Sequence, residues 1–451
     1  MFMSEEQEIA IGKQNDPSIV AMYGLYENER LQKFINEKGQ QMAKISHRPN
    51  LPFEFKILDS PVVNAFALPG GYVYFTRGIL AHFNNEAEFA GVLGHEIGHV
   101  TARHGASQQS KATVAQILFI GGLVASPVFR EFAQEGQQAM QLLFLKYGRD
   151  DESQSDELGV EYSTAIGYDS RHMANFFKLL DQMRKDAGGE ALPTFLSTHP
   201  DPYNRYQTVN ALSDKAQANI DKSTLKTGRT SYLQMLDGLI YGNDPRQGYV
   251  DNSMFYHPEL KFQFPIPADW QTINTPSQVQ MAPKDGNALM LLTLAQAETL
   301  EAASAAVLEN YKLTLVEKKS LTLNGMKAMA MVADQVNEQT QEKIRVLTYL
   351  ISYNGLIYNF FGVAKFEAFD NMIPYFNKTM RNFKQLTDQA KINKKPERIS
   401  IKSAPRTTSL ESLLKRDRMP EDRLKELALI NGFSLDQQLT RGDLYKIIVT
   451  R

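Results

Sequence analysis

The sequence GVLGHEIGHVTARHG, residues 91–105, decides the fold of the first part of this chain. It holds His95 and His99 four residues apart, and at this spacing two side chains lie on one face of a helix. A single metal ion can then bind both imidazoles. Glu96 follows the first histidine, where a carboxylate beside a bound water can accept a proton and later donate it to a departing amine.

The residues around the two histidines favour a buried helix. Asn85 can cap its start, and Glu88 three residues later completes a capping box. The apolar side chains of this stretch include Phe89, Val92, Leu93 and Val100. The alternative is a buried helix whose two histidines only make hydrogen bonds in the core.

A third metal ligand has to come from elsewhere, because a catalytic zinc keeps three protein ligands and leaves the fourth position for water. Metzincins place this ligand six residues after the second histidine, but that residue is Gly105, so this class is excluded. His104 falls one residue short, and we expect it to be structural or to hydrogen-bond to a metal ligand. A gluzincin instead takes a glutamate from a second helix downstream.

The downstream sequence YGRDDESQSDELGVEY, residues 147–162, offers Glu152 with Asp156 one helical turn later. On a helix the two share a face, so Glu152 can reach the metal while Asp156 accepts a hydrogen bond from a ligating histidine. We expect Arg149 to hold this acidic cluster together by limiting repulsion among its carboxylates. Without the upstream histidine pair, the stretch would be interpreted as a solvated helix start.

The stretch NAFALPGGYVYFTRGIL, residues 64–80, interrupts a mainly helical pattern. Its Pro-Gly-Gly predicts a turn, and the alternating YVYF that follows predicts a strand. We expect this strand at the edge of the cleft, where an extended substrate adds its backbone as a further strand. The residues expected to bind substrate are Asn64, Tyr72, Val73 and Tyr74. The alternative is that the two tyrosines only pack.

The composition excludes several classes of protein. Its 49 Lys and Arg balance 51 Asp and Glu, so nucleic acid is excluded as a partner of the whole molecule, while a membrane surface would need a local patch. The absence of cysteine excludes disulfides, thiol catalysis and thiolate metal sites. The start MFMSEEQEIAIGKQ lacks a signal-peptide pattern, so either the protein is cytosolic or a targeting segment has been removed upstream. An uncharged stretch at 112–129 is at the lower limit for a membrane span, and we expect a core or cleft-covering helix there.

The pattern along the chain predicts an α+β multidomain protein. Residues 1–248 are predicted to form a mainly helical peptidase domain of gluzincin type with a small sheet. Residues 249–388 turn to strands and are predicted as an α+β domain with a hairpin at Tyr353-Asn354-Gly355, because Asn-Gly suits the tight turn between paired strands. Residues 389–406 are basic and predicted as a linker, and residues 407–451 as a small C-terminal module.

The ordered set of motifs in the first domain resembles the CAAX prenyl-protease-like metallopeptidase family, in particular its soluble, envelope-located BepA-like branch. The set comprises HEIGH, the Arg149-x-x-Glu152-x-x-x-Asp156 cluster, AIGYD at 165–169 and STHPDPYNR at 197–205. NAFALPGG ahead of the zinc helix fits the same pattern. Ser155 departs from the family, which commonly has alanine there, but a small residue leaves the assignment intact.

This resemblance implies one zinc ion per chain, bound by His95, His99 and Glu152, with Glu96 as the general base and acid. His199 and Arg205 belong to the His-Pro loop of the family. A side chain there can stabilise the oxyanion of the tetrahedral intermediate. His199 can alternatively occupy the open zinc position and hold the enzyme inactive, or take no part in catalysis.

Two further resemblances are shorter. FQFPIPADW, which ends at Trp270, is similar to the start of small PsbP-like α+β domains. The C-terminal module, with SLESLLKR, LKELALINGF and LTRGDLYKIIV, resembles a degenerate LysM-like module, a family that binds glycan such as peptidoglycan.

We therefore expect a zinc-dependent endopeptidase that hydrolyses unfolded or misassembled polypeptides, in protein quality control of the bacterial periplasm or cell envelope. Lipid anchoring there is left open, and envelope proteins or peptidoglycan are candidate partners of the C-terminal domains. The alternative is a chaperone-like binding or assembly factor whose zinc site is latent or structural.

Overall fold

The computed structural model describes residues 3–109, 147–186, 194–200, 202–336 and 341–451. The uncharged stretch at 112–129 lies outside these residues. Within them, no helix combines the length and the apolar character needed to cross a membrane. The described residues fall into two compact units, one formed by the residues up to 243 together with 396–451, and the other by residues 244–395.

The first unit is mainly helical around a small sheet. Its helices are α1 Glu5–Tyr23, α2 Glu29–Ala43, α3 Arg77–His82, α4 Glu86–Thr101, α5 His104–Gln109, α6 Arg149–Ala165, α7 Arg171–Asp186, α8 Thr194–Thr198, α9 Pro202–Ala216 and α10 Arg229–Leu236. Its first strands are β1 Glu54–Leu58, β2 Ala65–Leu68, β3 Tyr72–Thr76 and β4 Ile240–Tyr241. One apolar core joins the sheet to α2, α4, α7 and α10.

The small sheet has β3 in its centre, parallel to β1 and antiparallel to β2. The turn at 69–71 joins β2 to β3, and its two glycines adopt φ of 88° and 99°, a conformation that favours glycine. The prediction that Tyr72, Val73 and Tyr74 form the edge of a cleft is therefore wrong, because both sides of β3 are already paired. The strand that lies at the edge and packs against α4 is β2.

Helix α4 carries both histidines, and Asn85 caps its start as predicted. The capping box is not formed, because the Glu88 carboxylate accepts from the Asn84 N–H and the Asn85 side chain instead of the Asn85 N–H. The Asn85 side chain accepts a hydrogen bond from the Glu88 N–H at 2.8 Å, and its amide donates back to the Glu88 carboxylate. Glycine then lets α4 touch α6 directly, since a Cβ at Gly94 would lie 3.0 Å from the carbonyl oxygen of Gly159. This backbone contact brings side chains from the two helices into one site.

The C-terminal residues of the first unit form strands and two helices. The elements are β16 Glu397–Ser403, β17 Thr408–Ser409, α14 Leu410–Arg416, α15 Leu424–Asn431, β18 Gln438–Leu439 and β19 Leu444–Thr450. β16 lies in the stretch predicted as a linker, but it pairs with β19 on one side and β4 on the other, and Ile399 is fully buried. The charge run that suggested a connector thus lies partly on a strand, while the domain boundaries remain predictions.

The second unit is an α+β structure, as expected. Its strands are β5 Tyr249–Asp251, β6 Met254–His257, β7 Phe262–Pro265, β8 Trp270–Asn274, β9 Gln278–Pro283, β10 Ala288–Ala295, β11 Thr314–Leu323, β12 Met326–Val336, β13 Lys343–Tyr353, β14 Leu356–Lys365 and β15 Lys384–Gln385. Its helices are α11 Leu300–Asn310, α12 Phe369–Met380 and α13 Gln389–Ile392. Seven strands form an antiparallel sheet in the order β11-β12-β13-β14-β10-β9-β8 with an apolar core on each face.

The hairpin predicted in this unit is confirmed. Tyr353 pairs with Leu356 across the turn, and Asn354 and Gly355 both have positive φ, of 49° and 78°. This is the backbone conformation of the tight turn that Asn-Gly favours.

Candidate metal centre

The two histidines of α4 face the same point, as their spacing predicts. Their Nε2 atoms lie 3.0 Å apart, and both rings are buried. Burial lowers the pKa of His95 to about 4 and holds the pKa of His99 well below its ordinary value. Both imidazoles are therefore neutral at neutral pH, and the neutral ring is the form that binds a metal ion.

Glu152 reaches this point from α6. Its Oε2 atom lies 3.7 Å from His95 Nε2, and its Oε1 atom lies 3.5 Å from His99 Nε2. Burial would raise the pKa of Glu152, but the charges of His199 and Arg205 outweigh burial and lower it, so the carboxylate is ionised. Two neutral imidazoles and a carboxylate from two separate helices are thus held within reach of one cation.

His199 joins the same cluster. Its Nδ1 atom lies 2.9 Å from Glu152 Oε1 and 3.4 Å from His95 Nε2. Ligand atoms of all four side chains, His95, His99, Glu152 and His199, lie within 4.8 Å of one another. Nitrogen and oxygen donors in this number and proximity suit tetrahedral Zn²⁺ and require no thiolate.

Asp156 and Arg205 contact these donors on the side that faces away from the metal position. Asp156 Oδ1 is 2.9 Å from His95 Nδ1, the ring nitrogen that faces away from the metal position. Arg205 donates to both oxygens of Asp156, at 2.6 and 2.8 Å, and its guanidinium stacks on the Phe177 ring. This arrangement fixes the orientation and tautomer of His95, in the way that outer carboxylates do at metal sites.

Glu96 is fully buried, and both of its carboxylate oxygens lack a hydrogen-bond partner among the described residues. Burial raises its pKa to about 7, against the opposing charge of His199, whose Nε2 atom lies 3.7 Å away. An unpaired carboxylate with a pKa near neutrality can both take up and release a proton.

Only some of the remaining predicted residues lie close to the ligand cluster. His104 lies beside His99, with 3.0 Å between their Nδ1 atoms. Arg149 is exposed at the start of α6, so the cation that faces Glu152 is Arg205, which the fold brings from α9. Asn64 is buried immediately before β2, and its side-chain oxygen has no hydrogen-bond partner among the described residues.

Two aromatic residues of the site were not foreseen from the sequence. The Tyr147 ring stacks on His99 with 3.9 Å between ring centroids, and the Phe195 ring stacks on His199 at 4.4 Å. Both residues lie close in sequence to predicted ligands, but no spacing rule assigns an aromatic ring to such a position. The Tyr147 ring also lines an opening beside His99, together with Leu68 and Pro69 at the end of β2.

Comparison with known proteins adds a family match. Residues 29–213 match the description "Peptidase family M48". The mitochondrial metalloendopeptidase OMA1 of Arabidopsis thaliana is 32% identical over 202 residues, which cover 44% of this chain and 38% of that protein. The beta-barrel assembly-enhancing protease of Yersinia pestis is 31% identical over 212 residues, covering 45% and 43% respectively. The chain therefore spans about two fifths of the length of these curated relatives.

Among solved structures, the solution structure of cyanobacterial PsbP from Synechocystis sp. PCC 6803 is similar to 31% of this chain and 91% of its own, with 12% identity and a TM-score of 0.25. A TM-score of 0.25 is too low to support a shared fold. The second unit is α+β by its own strands and helices. The similarity of residues 407–451 to LysM-like modules remains a prediction.

Proposed function

We propose that this chain, whose residues 29–213 match Peptidase family M48, is a zinc-dependent endopeptidase. The observation that carries this proposal is the convergence of His95, His99 and Glu152 from two helices beside an unpaired Glu96 carboxylate. One Zn²⁺ per chain, held by these three donors, would polarise a peptide carbonyl and lower the pKa of a water molecule.

In this proposal the chain itself supplies the proton transfer. Glu96 accepts a proton from the attacking water and delivers it to the nitrogen of the departing amine. Both of its carboxylate oxygens are buried and lack a hydrogen-bond partner among the described residues, so they are available for both steps. Asp156 keeps the His95 ring in place through its Nδ1 contact. Arg205, engaged by Asp156 and Glu152, acts by positioning these carboxylates rather than by binding the oxyanion.

His199 is proposed to regulate access to the metal. Its position within the ligand cluster supports occupation of the fourth coordination site, one of the alternatives that the sequence leaves open. The charges of Glu152 and Glu96 outweigh burial and raise the pKa of His199 in the metal-free protein, so the ring has to release its proton to occupy this site. A water molecule or a substrate carbonyl needs that site. Displacement of His199 would then open the metal to water and substrate. Stabilisation of the oxyanion by the displaced ring is the other catalytic role that the sequence allows.

The substrate is proposed to be an extended polypeptide that adds to the edge strand β2. This strand has one neighbour within the described sheet and packs against α4. Recognition through main-chain hydrogen bonds favours unfolded or misassembled chains over particular side-chain sequences. Asn64, with its free side-chain oxygen at the start of β2, is the candidate to contact the substrate backbone.

Protein quality control in the bacterial periplasm or cell envelope is the biological role that we propose. The names of the matched proteases, one of which enhances assembly of beta-barrels, support this role. Envelope proteins and, through the C-terminal module, peptidoglycan are proposed partners. The same matches do not favour a chaperone-like protein with a latent zinc site.

A casein-cleavage assay tests the proposal. Wild type, His199→Ala and His172→Ala, a half-buried histidine outside the cluster, are compared with and without a chelator. Chelator-sensitive cleavage that rises in His199→Ala but not in His172→Ala is the expected result. Zinc-loaded proteins that cleave nothing would overturn the assignment as a peptidase.

A further inference from the structure

The ammonium group of Lys446 is buried in the first unit, far in sequence from the residues that surround it. It donates to the carbonyl oxygens of Ala81 at 2.8 Å, Phe83 at 2.7 Å and Ile430 at 2.8 Å. All three of its hydrogens are thus used. Two of these carbonyls lie at the end of α3 and in the short segment that leads into α4, so β19 is fastened to the residues that precede the metal helix.

Lys446 also interacts electrostatically with Glu88 in the first turn of α4. Burial lowers the pKa of Lys446 well below its ordinary value, and the charge of Glu88 opposes this. The Glu88 carboxylate is buried and accepts hydrogen bonds from the Asn84 N–H and the Asn85 side chain. Burial raises its pKa to about 7, and the positive charges of Lys446 and Arg229 oppose this rise. A buried carboxylate at a helix start is costly unless such charges compensate it.

Two further contacts join the same surfaces. Arg229 donates to the carbonyl oxygens of Asn84 at 3.2 Å and Leu444 at 3.1 Å, so it bridges the helix cap and β19. Gly432, at the end of α15 with φ of 67°, packs so closely that a Cβ there would lie 2.8 Å from Asn84 Nδ2. Asn431 accepts a hydrogen bond from the Lys446 N–H at 2.7 Å and thereby holds the lysine in place.

We propose that Lys446 is a positioning residue for the metal helix: it docks the C-terminal module, residues 407–451, on the N-terminal cap of α4, so that docking and metal binding stabilise each other. The coupling follows from packing. α4 and α6 touch at Gly94 and Gly159 with no side chain between them, so a shift of α4 changes the distance from His95 and His99 to Glu152. Linkage then requires the effect to be reciprocal.

The first test measures zinc affinity by competition with a chromogenic chelator. Lys446→Met keeps the length of the side chain and removes its charge and donors, while Lys425→Met changes an exposed lysine of the same module. We expect about tenfold weaker zinc binding in Lys446→Met, within the usual range of coupling between sites, and no change in Lys425→Met. Equal affinity of Lys446→Met and wild type would overturn the inference. A wild type that binds no zinc would contradict the proposed metal centre instead.

A second variant separates positioning from a general loss of stability. In Glu88→Gln/Lys446→Met the buried carboxyl group and the buried amino group are both replaced by neutral side chains, and we expect zinc affinity to recover at least in part. Zinc should also slow amide exchange in Leu444–Thr450 of wild type, and this effect should disappear in Lys446→Met while persisting in Arg149–Ala165. Equal zinc-dependent slowing of Leu444–Thr450 in both proteins would show that Lys446 is merely structural.

Discussion

The Nη1 atom of Arg205 lies 2.7 Å from the Oε2 atom of Glu152, while the rest of the same guanidinium binds Asp156. The contact with Glu152 lies outside hydrogen-bond geometry, so it is ionic. One buried cation thus serves both the proposed metal ligand and the carboxylate that orients His95. The site depends on this residue although it offers no donor atom to a metal.

Replacing Arg205 by leucine should therefore weaken both the fold and the metal site. Glu152 and Asp156 would remain buried without their cation, a loss of about 3–5 kcal/mol in unfolding free energy. Zinc affinity should fall about 10- to 100-fold, as it does when other residues that contact and orient metal ligands are replaced. Urea denaturation and chelator competition measure the two effects.

The matched control for that change is Arg184→Leu. Arg184 pairs with Asp181 on the surface of α7, and its side chain is 48% exposed. Loss of such a pair should cost no more than about 1 kcal/mol and leave zinc affinity unchanged. If Arg205→Leu behaved like this control, the role assigned to the buried cation would be wrong.

Glu96→Gln should abolish most peptide hydrolysis while zinc stays bound. The amide cannot take up the proton of the attacking water, and general-base catalysis contributes about 10²–10⁴-fold to the rate. Casein cleavage and zinc content are measured on the same preparation, with the exposed Glu161→Gln of α6 as control. Activity retained in Glu96→Gln would refute the proton-transfer step.

The pH dependence of zinc binding should reflect burial of the two histidines. Their pKa values are lowered, that of His95 to about 4, so protons compete with zinc only as the pH approaches this range. In His199→Ala, which lacks the one cluster histidine whose pKa is raised, zinc affinity should therefore change little between pH 7 and 6 and fall steeply towards pH 4. Chelator competition across this range measures it. A loss that begins near pH 6.5, the ordinary imidazole value, would be inconsistent with buried ligands.

The same lowered pKa values also affect the stability of the metal-free protein. Between about pH 6.5 and 4, a histidine takes up a proton in the unfolded chain but not in the folded one, so the unfolded state binds more protons. The contribution of His95 and His99 to the unfolding free energy without metal, measured as the difference between wild type and His95→Gln/His99→Gln, should therefore decrease as the pH falls through this window. Glu88 and Glu96, whose pKa values are raised to about 7 and act in the opposite direction, are present in both proteins. Urea denaturation of chelator-treated protein at several pH values checks the sign.

Gly94→Ala should disturb the site without touching a ligand. The added Cβ would lie 3.0 Å from the Gly159 carbonyl oxygen and would push α4 and α6 apart. Overpacking of this kind costs about 1–3 kcal/mol, and zinc affinity should fall with it. Ser153→Ala, an exposed change on α6, should alter the unfolding free energy by less than about 0.5 kcal/mol. Unchanged stability and zinc affinity in Gly94→Ala would contradict the close approach.

Local spacing was sufficient to locate the core of the site. His95 with His99, and Glu152 with Asp156, are separated by one helical turn, so the period of the helix alone places each pair on one face. The structure adds the contact between the helices, which brings the two faces together. The Asn85 cap and the hairpin turn after Tyr353 are likewise local features, and both are present as expected.

Features that depend on contacts between distant parts of the chain could not be predicted from the sequence. An alternating pattern predicts a strand at residues 72–75 but cannot say whether the strand lies at an edge or in the centre of a sheet. The choice between Arg149 and Arg205 as the partner of Glu152 likewise depends on where α9 packs. β16 was missed because it has only two apolar residues, Ile399 and Ile401, and its Arg398 and Lys402 continue a longer basic stretch.

Elemental analysis of the purified protein tests the central claim most directly. Wild type should contain one zinc per chain, whereas Glu152→Gln and His95→Ala should lose it, and Glu161→Gln should keep it. Wild-type protein that contains no zinc even after exposure to the metal, or a Glu152→Gln variant that binds zinc as tightly as wild type, would contradict a metal centre built from these two helices.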